Sequence, residues 1–198
     1  MSKRFLPILL MVLIPLIIAS AQKRAFTIED LYKIKGVGSA AISHDGTKIA
    51  FTVSDSDLHK AKSNTDIYLM NSDGSGLRQL TSSPGAEYNP IWDPGDTGLY
   101  FVSPRSGSEQ VYYLSLSGGE AVQITSNSLG ISSPKLSGDG KSLLFSAQVF
   151  PECGADEACN KKISDAMNEG PVQAHIADSL FVRHWTEYAD GQYSHLFI

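Results

Sequence analysis

Apolar and polar residues alternate along most of this chain in short runs, and the runs recur. The stretch Ile42-Ser43-His44-Asp45-Gly46-Thr47-Lys48-Ile49-Ala50-Phe51 reads as the end of one strand, a tight turn and a second strand. Asp-Gly between apolar runs is a strong hairpin signal, because glycine accepts the positive φ that such turns demand. The same unit returns as Leu136-Ser137-Gly138-Asp139-Gly140-Lys141-Ser142-Leu143-Leu144-Phe145. Between them lies a blurred copy, Trp92-Asp93-Pro94-Gly95-Asp96-Thr97-Gly98-Leu99-Tyr100-Phe101, with Gly and Asp exchanged.

The second and third copies align without gaps at an offset of 44 residues: Pro90 with Pro134, and Phe101 with Phe145. Further along the pattern, Ile67-Tyr68-Leu69-Met70 and Leu80-Thr81 return 44 residues later as Val111-Tyr112-Tyr113-Leu114 and Ile124-Thr125. A period of this length, filled with alternating apolar residues and Gly/Asp/Ser turns, predicts one four-stranded blade per repeat. The fold class expected is therefore all-β, an incomplete β-propeller of about three blades over residues 36–82, 83–126 and 127–198. In the third unit the counterpart of Val111 is placed at His195, so about forty residues are inserted after Phe145. That insert should hold a helix near Ala158 to Met167. It should also hold a hairpin running from Leu180 to Tyr188, turning at Asp190-Gly191 and returning through Ser194 to Ile198. The fourth strand of this unit does not appear, which suggests the front part of a longer polypeptide; a small open β array complete in itself is the alternative.

Before the repeats, Thr27-Ile28-Glu29-Asp30-Leu31-Tyr32 carries a capping-box pattern, Thr27 with Asp30 three residues on. One short helix is expected there, packing its Ile28/Leu31 stripe on the edge of the first repeat. Met1 to Ala21 reads as a secretory signal: Lys3 and Arg4, an apolar run from Phe5 to Ile18, then Ala19-Ser20-Ala21. Cleavage would leave Gln22 as the first residue of an exported, periplasmic or extracellular chain, with no membrane attachment. A single membrane anchor is the other reading, but fourteen apolar residues are short for a bilayer span. The formal charge of -5 becomes more negative once Lys3 and Arg4 are removed. No Lys/Arg run remains, so nucleic acid is not an expected partner.

Candidate chemistry is sparse. Cys153 and Cys159 are the two cysteines. An even count in an exported chain favours a disulfide between them. A metal site would need two more ligands, and His175 and Asp178 are too loosely spaced to persuade. His44 and His59 fall in a turn and a loop. His184 and His195 are expected on facing strands of the last hairpin, near Arg183, Trp185 and Asp178; a hydrogen-bonded structural cluster is favoured there over a site. No Gly-x-Ser-x-Gly, His-Glu-x-x-His, Walker loop or Gly-x-Gly-x-x-Gly occurs. No catalytic, cofactor-binding or metal-binding residue is assigned, and no cofactor is expected.

The repeats, read as Ser-x-Asp-Gly-Lys-x-x-x-Phe followed by Ile-Tyr-Leu and Leu-Thr, resemble those of TolB-type proteins and of prolyl oligopeptidase family serine peptidases. Phe26-Thr27-Ile28-Glu29-Asp30-Leu31 is similar to the start of exported dipeptidyl and acylaminoacyl peptidases. Phe150-Pro151-Glu152-Cys153 and Ala177-Asp178-Ser179-Leu180-Phe181-Val182-Arg183-His184-Trp185-Thr186-Glu187 resemble the inserted segment of the dipeptidyl peptidase V-like branch. The resemblance implies a propeller that gates short peptide substrates to a C-terminal α/β-hydrolase domain, which residues 1–198 do not contain and which would carry the Ser-Asp-His triad. The rival expectation is a TolB-like periplasmic propeller that scaffolds protein partners.

Overall fold

The computed structural model describes residues 24–171 and 191–198, and the backbone of Arg183–His184 and Glu187–Tyr188. Strands β1 (Gly36–Ile42), β2 (Lys48–Asp57), β3 (Lys62–Asn71) and β4 (Arg78–Gln79) form a first antiparallel sheet in chain order. Strands β5 (Tyr88–Trp92), β6 (Gly98–Ser103), β7 (Gln110–Ser115) and β8 (Val122–Gln123) form a second of the same order. Strands β9 (Ser132–Leu136) and β10 (Leu143–Val149) belong to a third, whose order β13-β10-β9 is completed by β13 (Tyr193–Phe197). Two four-stranded meanders followed by a third, three-stranded sheet are the incomplete propeller that the 44-residue period predicts.

The repeats are equivalent in register as well as sequence. Phe51 lies opposite Tyr68, Phe101 opposite Tyr112 and Phe145 opposite Phe197. Each first strand carries a bulge. Ser39, Asn89 and Ser133, one per repeat, all have φ between 37° and 55°, and the ladder slips beside each. Such bulges bend and twist a strand. Each complete blade ends the same way. The N–H of Leu80 donates to the Ile67 carbonyl at 2.8 Å while the Thr81 hydroxyl accepts the Ile67 N–H at 2.9 Å. Ile124 and Thr125 do the same for Val111. A threonine is required there because the strand has stopped pairing and its neighbour's N–H still needs an acceptor.

Two apolar layers join the sheets. Ala50, Ile67 and Leu69 meet Trp92, Leu99, Phe101 and Tyr112 between the first and second. Val102, Val111 and Ile131 form the second layer, with Tyr88, Tyr100, Leu143 and Phe145 against them. Phe51 and Phe101 are buried, whereas Phe145 is only half-buried.

Three expectations are corrected. The helix α1 (Ile28–Leu31) forms, with the Thr27 N–H donating to the Asp30 carboxylate at 3.1 Å, but it buries no residue. Ile28 and Leu31 are exposed, so the apolar stripe is not covered by the first sheet. The long final hairpin is not found among the described residues: β11 (Arg183–His184) pairs with β12 (Glu187–Tyr188), while β13 pairs with β10. His184 thus lies opposite Glu187, and His195 opposite Ala147. The counterpart of Val111 is Leu196 rather than His195, since Val111 pairs with Val102 and Leu196 with Ser146. A one-residue slip exchanges the faces of a strand, and the register observed is the one that stacks Phe197 on Phe145.

The helix near residue 158 is α2 (Glu157–Glu169), capped by the Asp156 carboxylate on the Cys159 N–H at 3.0 Å. It is tied to the segment between the second and third sheets through Glu157, which accepts from the Ser128 N–H at 2.7 Å. Cys153 and Cys159 are joined as a disulfide across its first turn, with Cα atoms 5.5 Å apart.

Candidate functional site

The turn tips and the ends of the second strands are where the repeats depart from one another. In the first and third units the serine of Ser-x-Asp-Gly holds the turn. The Ser43 hydroxyl donates to Asp45 at 2.6 Å and accepts the Lys48 N–H, and Ser137 repeats both contacts with Asp139 and Ser142. These bonds, from Ser43 first and then Thr47, lower the Asp45 pKa to about 2. In the second unit Asp93 stands at the serine position and accepts from the Thr97 backbone and hydroxyl and from the Tyr113 hydroxyl. Asp96 occupies the place of Gly46 and Gly140, and adopts their left-handed conformation with φ 53°. Asx side chains tolerate that region best among residues with a Cβ.

Asp96 uses its side chain between blades. It accepts the backbone N–H groups of His44 and Asp45 at 2.9 Å and meets His44 Nδ1 at 2.8 Å. Burial pushes the Asp96 carboxyl up, but the His44 bonds outweigh it and the net shift is downward. At the next junction the relation becomes steric: a Cβ on Gly140 would lie 2.9 Å from Pro94. Trp92 adds a further cross-blade bond, its indole N–H donating to the Ala41 carbonyl at 3.0 Å. His44 is thus anchored to the neighbouring blade, while His59 is exposed on the β2–β3 loop.

The second departure is buried. Glu87, Ser103 and Arg105 stand where the third unit has Ile131, Ala147 and Val149, each 44 residues on. Glu87 is fully buried. Its Oε1 accepts from the Ser103 hydroxyl at 2.9 Å and from the Arg105 guanidinium. Arg105 lies over the rings of Tyr112 and Phe101, 5.0 and 5.6 Å from their centroids. Asp66 and Asn64 approach from β3, with Asn64 donating to Asp66 at 3.2 Å. Sequence reading did not pick out these residues; the signal was charge at apolar repeat positions. Two concavities flank the group. One of about 690 Å³ is lined by Tyr32, Asp55, Leu58, Lys62 and Asn64; the other, of about 430 Å³, is lined by Thr81, Ser83, Arg105 and Glu120.

This arrangement positions blades and shapes two concave surfaces. Among the described residues no three His, Cys, Asp or Glu side chains are placed to hold a metal ion, and no helix is long and apolar enough to cross a membrane. Met1 to Ala21, His175, Asp178 and Trp185 lie outside the described residues, as do the side chains of Arg183 and His184.

Comparison with known proteins points the same way as the fold. Dipeptidyl-peptidase 5 of Porphyromonas endodontalis is 23% identical over 175 residues, covering 86% of this chain. The chain spans only 24% of that relative's length. The Tol-Pal system protein TolB of Anaeromyxobacter dehalogenans is 46% identical over 50 residues, 25% of this chain and 10% of that protein. Among solved structures, an acylaminoacyl peptidase in complex with Z-Gly-Gly-Phe-chloromethyl ketone superposes with a TM-score of 0.58 at 12% identity. That match covers 83% of this chain and 23% of the other, and speaks to fold. The family model of the TolB beta propeller domain matches residues 20–165. With that match over most of its length and antiparallel sheets repeating in register, this chain belongs to the TolB beta propeller domain family.

Proposed function

We propose that this chain is the non-catalytic N-terminal propeller portion of an exported serine exopeptidase, of dipeptidyl or acylaminoacyl type, that cleaves short peptides. The observation that carries the reading is the extent of the dipeptidyl-peptidase match: it runs over 86% of this chain yet takes up 24% of the peptidase. A propeller with no nucleophile elbow in residues 1–198 fits the part of such an enzyme that limits access, while acyl transfer through serine, histidine and an oxyanion hole proceeds elsewhere. The concave surfaces beside Asn64 and Arg105 would then form part of the rim past which peptides enter. Met1 to Ala21 would direct export and be removed.

A second reading is a TolB-like periplasmic scaffold for protein partners, favoured by the 46% identity over one 50-residue stretch. The test is made on the natural polypeptide that carries this chain, purified from the cell envelope and medium. Hydrolysis of a dipeptidyl or acylaminoacyl chromogenic substrate, with labelling by a serine-directed phosphonate at a Gly-x-Ser-x-Gly beyond Ile198, is the expected result. A polypeptide that ends with its last blade and takes no label would favour the scaffold. Turnover lost on replacing a serine within residues 22–198 would overturn both readings.

A further inference from the structure

Three buried oxygens at the junction of the first and second sheets have no hydrogen-bond donor: Asn64 Oδ1, Asp66 Oδ1 and Glu87 Oε2. They belong to one neighbourhood. Asn64 and Asp66 are two residues apart on β3, and the residue between them, Thr65, accepts the Glu87 N–H at 2.7 Å. The Asn64 amide donates to Asp66 and to the Ser83 carbonyl, and Ser103 and Arg105 donate to the other Glu87 oxygen. The junction holds two carboxylates and one guanidinium, so one negative charge is uncompensated where burial makes charge expensive.

We propose that Asp66 and Glu87 form an acid-operated latch between the first and second blades: as pH falls, a proton from solvent binds Asp66 Oδ1 and the resulting O–H donates to Glu87 Oε2. One proton serves the Asp66 and Glu87 oxygens, two of the three, and removes the excess charge at the same time. Desolvation, then repulsion from Glu87, raises the Asp66 pKa above its ordinary value. Glu87 is the charged group that acts on Asp66; Arg105 faces Glu87 from beyond β6, and Val53, opposite Asp66 on β2, is apolar. The third unit, with Ile131 and Val149 at the Glu87 and Arg105 positions, has no such pair and provides the internal contrast.

The sign of the effect is opposite to that of a salt-bridged carboxylate. A raised folded-state pKa contributes stability in full below the unfolded value of about 3.9, and loses it as pH rises through the folded value. Asp66→Asn keeps the shape and supplies an N–H donor, mimicking the protonated state. In the polypeptide that carries this chain, D66N should melt above wild type at pH 8, with the difference closing by pH 4. Each unit of raised pKa is a tenfold change in the folded-to-unfolded ratio. The carboxyl carbon of Asp66, followed by NMR in the wild type, should titrate above about 3.9. A difference in melting temperature that stays constant with pH, or a midpoint at or below that value, would overturn the latch. So would stabilisation of the wild type by added calcium that D66N abolishes, because a hard cation would then be filling the oxygens.

Discussion

At the scale of single residues, the informative positions are those where a repeat breaks its own rule. Asp96 occupies a glycine's backbone conformation and uses the side chain that glycine lacks to bond two N–H groups of the preceding blade. Asp96→Ala should lower stability, since it removes the acceptor of both N–H groups and keeps the left-handed strain. Denaturant unfolding at neutral pH measures this. Asp96→Gly should be milder than Asp96→Ala, because glycine relieves the strain while losing the same bonds. Asp45, with its pKa lowered to about 2 chiefly by Ser43, supports its turn above the unfolded value and stops doing so as acid takes the pH down through about 2. Ser43→Ala should therefore move the Asp45 titration toward about 3.9, read by NMR of its carboxyl carbon. The turns themselves were legible because Asp-Gly states its backbone requirement locally. The Asp96 clamp was not, since its partners lie 51 and 52 residues away.

At the scale of elements, the sequence pattern placed the sheets well and the insert poorly. Strands β2, β3, β6 and β7 are long, alternating and repeated, so period and register could be read together. Beyond Phe145 the repetition stops, and pairing is decided by tertiary contacts: Phe197 stacks on Phe145 with centroids 5.6 Å apart, which fixes β13 on β10. The α1 stripe shows the same limit, for amphipathic spacing tells which face is apolar and not whether anything covers it. In α2, the fully buried Asn160 accepts the Phe150 N–H at 2.9 Å and donates to the Gly154 and Asp156 carbonyls, closing the turn that the two cysteines bridge. In protein made in an oxidising compartment, alkylation without reduction should label neither cysteine. Replacing both by serine should lower stability by about 2–3 kcal/mol, the chain-entropy value for so short a loop.

At the scale of the whole molecule, β13 is the outermost strand of the third sheet among the described residues. In β13 and just after it, Leu196 and Ile198 are 74% and 90% exposed. Such edges pair with one another across molecules. Isolated residues 22–198 should therefore self-associate, and Leu196→Lys should shift the population toward monomer in light scattering after gel filtration. Assemblies of near-identical units carry another hazard, that of neighbours joining in the wrong order during folding. The Asp93–Asp96 tip bears on this, since the carboxylate that meets His44 exists in the middle unit, and the third offers Gly140 to Pro94 instead. Each junction is thus a distinct lock, and a third unit docked in the second's place would bring glycine where His44 and Asp45 await an acceptor. The exchanged Gly and Asp in the blurred copy act as a place marker, keeping the blades in their queue.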